Sequence, residues 1–318
     1  MPTPPNRVDT FVVGDDDGLR LDQFLVRHLP DCSRRQARAA IGAGGVLVNG
    51  RRGRKGQALR LGDVVRADPS ALHGVLAAQP ELALRILHTD EALVAVDKPA
   101  GMAAVALRAG DRDTVANGLL GRYPELRDVG TAFEAGLVHR LDTPTSGVLL
   151  AARTTAAWHA LRAQFRGRAV DKLYLAVVAG DVSRRGGVDV PIAHRPRHPR
   201  EMRACAQPER ARALHARPAL TRYRPLRRAG GTTLLAVRIV TGVRHQIRVH
   251  LASIGHPVLG DSLYAEAAVS RAAPRLLLHA AWLGFAHPTS GQRMIVRSPL
   301  PDDFQVALRG RFNTATPR

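Results

Sequence analysis

Residues 139–147 read HRLDTPTSG, and their last residue, Gly147, begins the apolar run GVLLAA at 147–152. The apolar run predicts a buried strand, and the polar residues before it predict a tight turn at the mouth of that strand. Asp142 is the carboxylate of this turn. A carboxylate in this position either caps the turn or takes part in chemistry, and the other residues of the chain have to distinguish the two.

The overall composition favours a globular protein with a polyanionic partner. The chain has 318 residues and is 45% hydrophobic, which is enough for two domains or for one large domain with a small appendage. Lys and Arg number 47 against 27 Asp and Glu, a formal net charge of +20 that would attract nucleic acid. Aromatic residues make up only 4% of the chain, which argues against a broad base-stacking platform.

Cysteine usage and hydropathy bear on the compartment. Cys32 and Cys205 are too far apart in sequence to suggest a disulfide framework or a metal knuckle, and two cysteines are typical of a reducing compartment. No apolar run approaches membrane-spanning length, and the N-terminus lacks the apolar core of a secretory signal. We therefore expect a cytoplasmic protein without membrane contact.

Residues 17–70 predict a small α+β module. Leu21, Phe24, Leu25 and Leu29 stand at helical spacing, Ser33 is placed to cap a second helix, and the strands that follow are joined by Gly-containing turns. This segment, with Asp22, the Ser33-Arg34 pair and the turns at 45–50 and 61–63, resembles the S4-like RNA-binding module, of the αL type. The resemblance implies phosphate contacts by its cations, which are Arg34, Arg35, Arg38, Arg51, Arg52, Arg54 and Lys55. The alternative is a small helical domain with a solvated basic face.

Residues 71–84 carry no clear periodicity and are predicted to be a linker. From 85 to 308 the pattern predicts a second domain of strands and helices, with strand hairpins around 85–98 and 276–297. Residues 181–218, rich in Arg, Pro and His, are expected to form an inserted hairpin and a basic loop. The chain is expected to fray from Gly310.

Five motifs of the second domain occur in an order that is typical of one enzyme family. They are DKPAGM at 97–102, HRLDTPTSG at 139–147, KLYLAVVAG at 172–180, TGVRHQIRVHLASIGHPVLGD at 241–261 and LLLHAAWLGFAHP at 276–288. Together they resemble the RluA-like pseudouridine synthases over about residues 85–306. The resemblance implies a mixed, mainly antiparallel α/β catalytic domain that isomerises uridines in RNA to pseudouridine without a metal or organic cofactor.

The resemblance also assigns roles to individual residues. Asp142 stands at the position of the family's essential Asp, and Arg248 matches its partner, which would stabilise the charged carboxylate. Tyr174 matches a Tyr that packs on the target base and serves as a candidate general base. Arg140 matches a residue that enters the RNA stack when the uridine is flipped out. Further substrate contacts are expected from His139, Lys172, His245 and Gln246.

Other functions fit the pattern less well. A metal site built from His139, His245, His250 and His256 lacks ligand spacing, and we expect these histidines to be hydrogen-bonding scaffold. A hydrolase triad of His139, Asp142 and Ser146 lacks a nucleophile elbow. A binding protein that kept the fold and lost the chemistry is the competing class.

The sequence departs from the family pattern at two places. Val243 replaces the Arg that the family usually carries in TGR-x-HQIR, and the loop after residues 97–101 lacks the family's apolar pair and His-Pro. Both changes concern substrate contacts more than the reaction. Large-subunit ribosomal RNA is the first expected target and transfer RNA the second, and we expect a monomer.

Overall fold

The fold is known from a computed structural model, which describes residues 8–29, 32–68, 76–107, 111–131 and 133–312. Helices α1 (Leu21–His28) and α2 (Arg34–Ala43) precede most of a four-stranded sheet. The order of that sheet is β1-β4-β2-β3, with β1 at Asp9–Val12, β2 at Val46–Val48, β3 at Arg51–Arg52 and β4 at Val64–Ala67. This is the small α+β module that the sequence predicts.

Local capping and an apolar core hold the module together. Ser33 accepts a hydrogen bond from the Gln36 backbone, and the Gln36 side chain accepts one from the Ser33 backbone, which completes a capping box at the start of α2. Leu21, Phe24 and Leu25 of α1 are fully buried in the core shared by the helices and the sheet. The predicted cap and inward face are thus confirmed.

The second domain is built on a nine-stranded sheet whose order is β5-β6-β7-β14-β8-β13-β12-β9, with β15 paired to β14. Its strands are β5 (Arg85–Thr89), β6 (Leu93–Lys98), β7 (Ser146–Ala152), β8 (Asp171–Ala179), β9 (Gly186–Asp189), β12 (Leu220–Ala229), β13 (Thr232–Ile239), β14 (Leu278–Ala286) and β15 (Arg293–Arg297). A separate hairpin is formed by β10 (Ile192–Arg195) and β11 (His198–Ala204).

Six helices and one 3₁₀ turn complete this domain among the described residues. They are α3 (Val115–Arg122), the 3₁₀ turn Pro124–Asp128, α4 (Thr155–Arg166), α5 (Pro208–Ala213), α6 (Gln246–Ser253), α7 (Ala267–Arg271) and α8 (Asp302–Phe312). The pairing of β7 with β14 is parallel, whereas the other pairings in the sheet are antiparallel. The predicted mixed, mainly antiparallel domain is confirmed. No helix in the described ranges is long and apolar enough to cross a membrane.

Strand β7 lies inside the sheet, between β6 and β14, and the motif 139–147 ends at its start. All seven of its residues are buried, which explains the unbroken apolar run. Gly147 has a φ of +121°, and a Cβ there would lie 2.2 Å from the carbonyl oxygen of Ala280 on β14. A glycine is therefore required where the chain leaves the site turn and enters the sheet.

Two segments are more ordered than the sequence suggests. Residues 181–218 contain β9, the β10-β11 hairpin and α5, so the expected hairpin is present but most of the expected loop is regular structure. The chain is expected to fray from Gly310, but residues 310–312 are the last turn of α8, so this expectation is wrong for them. Helix α8 is held because Phe304 and Ala307 pack against the sheet.

The predicted linker, 71–84, is described from Leu76 onwards. Leu76 is buried in the core of the second domain, and the Gln79 side chain donates to Asp113 at 3.0 Å. The Gln79 backbone also donates to the carbonyl of Asn117 on α3. Residues from 76 onwards thus pack with the second domain, while the boundaries at 17–70, 71–84 and 85–308 stay predictions.

Candidate active site

The turn that carries Asp142 is held by backbone hydrogen bonds on both sides. The Thr145 N–H donates to the Asp142 carbonyl at 3.0 Å, which closes the turn. The Gly101 N–H donates to the Thr143 carbonyl at 2.9 Å. The loop of residues 97–102 therefore supports the turn from outside, although the two motifs are some 40 residues apart in sequence.

Lys98 is the strongest part of that support. Its side chain is fully buried, and Nζ donates to the carbonyls of Pro99 at 2.8 Å, Met102 at 2.7 Å and Thr143 at 3.0 Å. Burial lowers the pKa of Lys98 to about 7, and the negative charge of Asp142 opposes that shift. Three carbonyl acceptors match the three protons of an ammonium group, so these hydrogen bonds favour the charged form against the effect of burial, and Lys98 links both loops.

Asp142 faces two side chains from the start of α6. Its Oδ2 lies 3.4 Å from Nη1 of Arg248, and its Oδ1 lies 3.9 Å from Nε2 of His245. The Asp142 side chain remains 23% exposed, whereas that of Arg248 is 3% exposed. The carboxylate is thus held from behind by a buried cation and stays open on its other side.

Asp261 fixes Arg248 in this position. Its two oxygens accept from Nε of Arg248 at 2.8 Å and from Nη2 at 2.7 Å, and the carboxylate also accepts from the backbones of Leu263 and Tyr264. Burial opposes the charge of Arg248, but the hydrogen bonds and charge of Asp261, with Asp142, raise its pKa on balance. Arg248 therefore uses one edge of its guanidinium for Asp261 and presents the remaining nitrogen to Asp142.

Asp261 and Tyr264 are part of the site although the sequence patterns do not single them out. The Tyr264 hydroxyl lies 2.6 Å from Nδ1 of His245, and its ring lies 5.1 Å from the guanidinium carbon of Arg248. Asp261 stands inside the fourth quoted motif, and a carboxylate 13 residues after a functional Arg was the available signal. Whether the two meet depends on the turn after α6, which local patterns do not specify.

Tyr174 and Lys172 reach the same cleft from β8. Tyr174 is 7% exposed, and burial, followed by the charge of Asp142, raises its pKa. Burial lowers the pKa of Lys172, whose Nζ donates to the Thr241 carbonyl at 3.4 Å and lies 5.8 Å from the ring centre of Phe165. Both predicted residues lie at the site, and Tyr174 is a phenol at neutral pH.

The cleft around these residues has a volume of about 670 Å³. Its described lining contains eight cationic side chains and one carboxylate, that of Asp142. The cations are Arg140, Arg162, Arg166, Arg168, Lys172, Arg217, Arg244 and Arg248. The cleft is large enough for a nucleotide and strongly attractive to phosphate.

His139 and Gln246, which are predicted to contact the substrate, also make contacts within the protein. His139 stacks on Phe165 at 4.7 Å, and its Nε2 accepts from the Leu150 backbone at 3.1 Å. Burial, with a smaller contribution from Lys172, lowers the pKa of His139 to about 3. Gln246 is buried and uses both amide atoms, accepting from Thr241 and donating to the Leu220 carbonyl. Both residues also line the cleft, so these contacts hold them in place there.

The histidines behave as scaffold. His250 is fully buried between the Thr221 hydroxyl at 2.8 Å and the Val190 carbonyl at 2.9 Å. Burial lowers the pKa of His245 to about 4, although the charge of Asp142 opposes this. Ser146 is buried against Nδ1 of His279 at 3.0 Å and His139 accepts from the Leu150 backbone, in keeping with the rejection of a hydrolase triad from the sequence.

The departure at Val243 has a structural explanation. Val243 is buried in a small core with Met202 of the β10-β11 hairpin. Arg244, the next residue, donates to the carbonyls of Pro199 and Arg200 in the same hairpin. The shift of Arg by one place therefore attaches the hairpin to the rim of the cleft.

In the N-terminal module the predicted phosphate contacts divide into two groups. Arg38 donates to the buried Asp22 at 2.9 Å, and Arg20 does so at 3.0 Å, so the charge of Arg38 is partly neutralised. Hydrogen bonding by Arg20 and Arg38 lowers the pKa of Asp22 despite its burial. The second group is exposed and lies outside the ion pairs with Asp22; its members are Arg34, Arg51, Arg52, Arg54 and Lys55. Arg35 lies in α2, but its side chain is outside the described part of the structure.

Comparisons with known proteins agree with this architecture. Residues 92–253 match the family model of RNA pseudouridylate synthases, and residues 19–65 match that of the S4 domain. An RNA pseudouridine synthase of Chloroflexus aurantiacus is 39% identical over 291 residues, which cover 91% of this chain and 89% of the relative. The ribosomal large subunit pseudouridine synthase D of Nitrosomonas europaea is 37% identical over 317 residues, covering 97% and 89%. The solved structure of human RNA pseudouridylate synthase domain containing 1 superposes with a TM-score of 0.57 at 26% identity, covering 71% of this chain and 88% of its own.

Proposed function

This chain belongs to the RNA pseudouridine synthase family, and we propose that it isomerises uridines of large-subunit ribosomal RNA with Asp142 as the catalytic carboxylate. The observation that carries the assignment is the position of Asp142, open to a basic cleft of about 670 Å³ and backed by the buried Arg248. A pure RNA-binding protein has no need of a carboxylate facing an anionic substrate. The matches to the family model and to whole-chain relatives confirm the family that the five motifs indicate.

Asp142 starts the reaction at the sugar of the target uridine. It either attacks the anomeric carbon or removes the proton from the neighbouring carbon, and in both routes the bond to the base nitrogen breaks. The base rotates and its fifth carbon bonds to the anomeric carbon; this breaks the bond between Asp142 and the sugar in the first route, and in the second route Asp142 returns the proton to the neighbouring carbon. The proton of the fifth carbon then leaves and the freed nitrogen takes up a proton. Arg248 supports this chemistry by balancing the charge of the carboxylate without moving, because Asp261 holds it.

Tyr174 packs against the base while it rotates. Its raised pKa means that a phenolate is disfavoured at neutral pH, which supports packing over proton removal. Arg140 is exposed at the rim of the cleft, two residues before Asp142, where a planar cation can replace the flipped nucleotide in the RNA stack. Flipping is required because a stacked nucleotide cannot present its glycosidic bond to a carboxylate within a cleft.

The target and compartment follow from the relatives and the composition. Relatives that match nearly the whole chain carry the name ribosomal large subunit pseudouridine synthase D, which supports large-subunit ribosomal RNA as the substrate. Cys32 and Cys205 are free and buried, in keeping with a reducing compartment. We place the enzyme in the cytoplasm.

The catalytic assignment is tested with the Asp142→Asn variant. We expect pseudouridine formation in large-subunit ribosomal RNA to be lost, while the dissociation constant for that RNA changes by less than about threefold, since Asp142 makes no phosphate contact. The exposed Asp128→Asn, at the 3₁₀ turn, is the matched control for removing one carboxylate and should keep full activity. Full activity of Asp142→Asn would overturn the catalytic assignment. If the wild-type enzyme modified transfer RNA and not ribosomal RNA, the proposed substrate would be wrong.

The role of the N-terminal module is tested separately through the salt dependence of binding. Neutralising Arg51, Arg54 and Lys55 to Gln removes three exposed cations without touching the buried Asp22 pair. If each contacts one phosphate, the slope of log affinity against log salt falls by about 2 to 3. An unchanged slope would show that the module does not bind RNA through this loop.

A further inference from the structure

The face of the nine-stranded sheet that points away from the cleft carries a second cationic surface. Side chains alternate along β8, so Lys172 and Tyr174 line the active-site cleft while Leu173 points to the opposite face. Leu173 lines a separate hollow of about 760 Å³ on that face. Among the described residues, none lines both this hollow and the active-site cleft.

One cross-strand row crosses this face. Arg222 on β12 pairs with Arg238 on β13, Arg238 pairs with Leu173 on β8, Leu173 pairs with Trp282 on β14, and Trp282 pairs with Arg297 on β15. Directly opposed residues on neighbouring strands share a face. These five residues, here called the back-face row, therefore form a continuous line about 19 Å long at about 4.8 Å per strand.

Helix α8 covers the neighbouring part of the face and stops short of the row. Phe304 and Ala307 of α8 pack in one core with Val177 and Leu234, which lie further along β8 and β13. Arg222, Arg238 and Arg297 are exposed. Helix α8 thus covers the apolar part of this face, and the part with cationic side chains stays exposed to solvent.

The charge of the open part is strongly one-sided. Arg185 and Arg224 add two cations to the lining of the hollow, and Asp189 is its carboxylate among the described residues. Asp171, at the end of the face on β8, is paired with Arg293. The guanidinium carbon of Arg238 lies 5.7 Å from the centre of the Trp282 ring, which leaves a half-exposed aromatic among the cations.

We propose that the back-face row binds the phosphate backbone of the RNA substrate, in a segment outside the nucleotides that enter the cleft. The proposal rests on the proposed function, which supplies a long structured RNA as the ligand. An open sheet face with spaced arginines and one aromatic suits a sugar-phosphate strand, because cations meet successive phosphates and the aromatic offers a stacking surface. The enzyme then holds a large RNA on two faces and a short RNA on one.

The test compares two double variants on the same strand. Arg222→Glu with Arg224→Glu reverses two cations of the hollow, and Arg227→Glu with Arg228→Glu makes the same charge change at exposed positions of β12 outside it. The probes are in vitro transcribed large-subunit ribosomal RNA and the shortest stem-loop from it that the wild-type enzyme modifies. We expect the first variant to bind the long RNA at least tenfold more weakly and to keep the binding and turnover of the stem-loop within twofold.

The control variant should bind the long RNA within threefold of wild type. Equal losses in both variants, or an unchanged affinity of Arg222→Glu with Arg224→Glu, would overturn the back-face site. Failure of the proposed function is distinguishable, because the wild-type enzyme would then modify neither RNA.

Tryptophan fluorescence gives a second readout. The chain has two tryptophans, so Trp158→Phe leaves Trp282 as the reporter. The long RNA should quench Trp282 and the stem-loop should not, and equal quenching by both RNAs would contradict the proposal.

Discussion

Replacing Asp261 by Asn tests whether its buried ion pair with Arg248 holds that arginine in position beside Asp142. Asp261 is 1% exposed and binds Nε and Nη2 of Arg248 through its two oxygens. An Asn can keep one oxygen for Nη2 and for the backbone of Leu263 and Tyr264, but its amide N–H₂ would face the Nε–H of Arg248. The change therefore removes a charge-assisted hydrogen bond and the charge partner of a buried guanidinium.

The magnitude follows from what remains. Breaking a buried pair by removing one partner costs about 3–5 kcal/mol. Part of the hydrogen bonding survives in Asn, and Asp142 still lies 3.4 Å from Arg248, so we expect the lower end, about 3 kcal/mol. For a domain of this size that loss lowers the Tm by about 6–12 °C. Arg248 should also turn towards Asp142, and a displacement of about 1 Å at the reacting groups lowers kcat by about 100-fold.

The chain offers a matched control in the pair of Arg275 and Asp303. Its geometry is the same, with Nε and Nη2 donating to the two carboxylate oxygens at 2.6 and 2.7 Å. The Asp303 side chain is 47% exposed, so Asp303→Asn should cost no more than about 1 kcal/mol and leave kcat unchanged. Thermal unfolding and single-turnover assays on both variants measure the difference. Equal destabilisation by the two substitutions, or full activity of Asp261→Asn, would refute the reasoning.

Three further predictions concern single side chains of the site. Tyr174→Phe should keep activity within about tenfold of wild type in single-turnover assays, because its buried phenol stays protonated, whereas a general base contributes about 10²–10⁴-fold. Lys98→Met leaves three carbonyls without their ammonium donor, and urea unfolding should show a loss of about 3 kcal/mol. His245, with a pKa lowered to about 4, should show no titration between pH 5.5 and 8 in histidine-ring NMR spectra assigned with His245→Gln; a midpoint near 6.5 would contradict its burial.

Much of the fold was predictable because its signals are local. The capping box of Ser33 and Gln36 involves residues three apart, and the apolar run of β7 is buried on both faces. The order of the motifs predicted the family, and the match between Asp142 and Arg248 predicted a contact across 106 residues that the structure places at 3.4 Å. The hairpin insertion and α8 were underestimated, because Arg-rich composition hides the apolar residues, such as Met202 and Phe304, that attach them.

The sequence by itself determined most of the elements, the family and which carboxylate faces the cleft. Tertiary structure decided how the residues around the cleft are held: Lys98 by three carbonyls, Arg248 by Asp261, and Gln246 by Thr241 and the Leu220 carbonyl. It also decided the back-face row, whose five residues come from five strands. The physical reason is that strand register and loop closure bring together residues far apart in sequence, and a local pattern carries no information about that register.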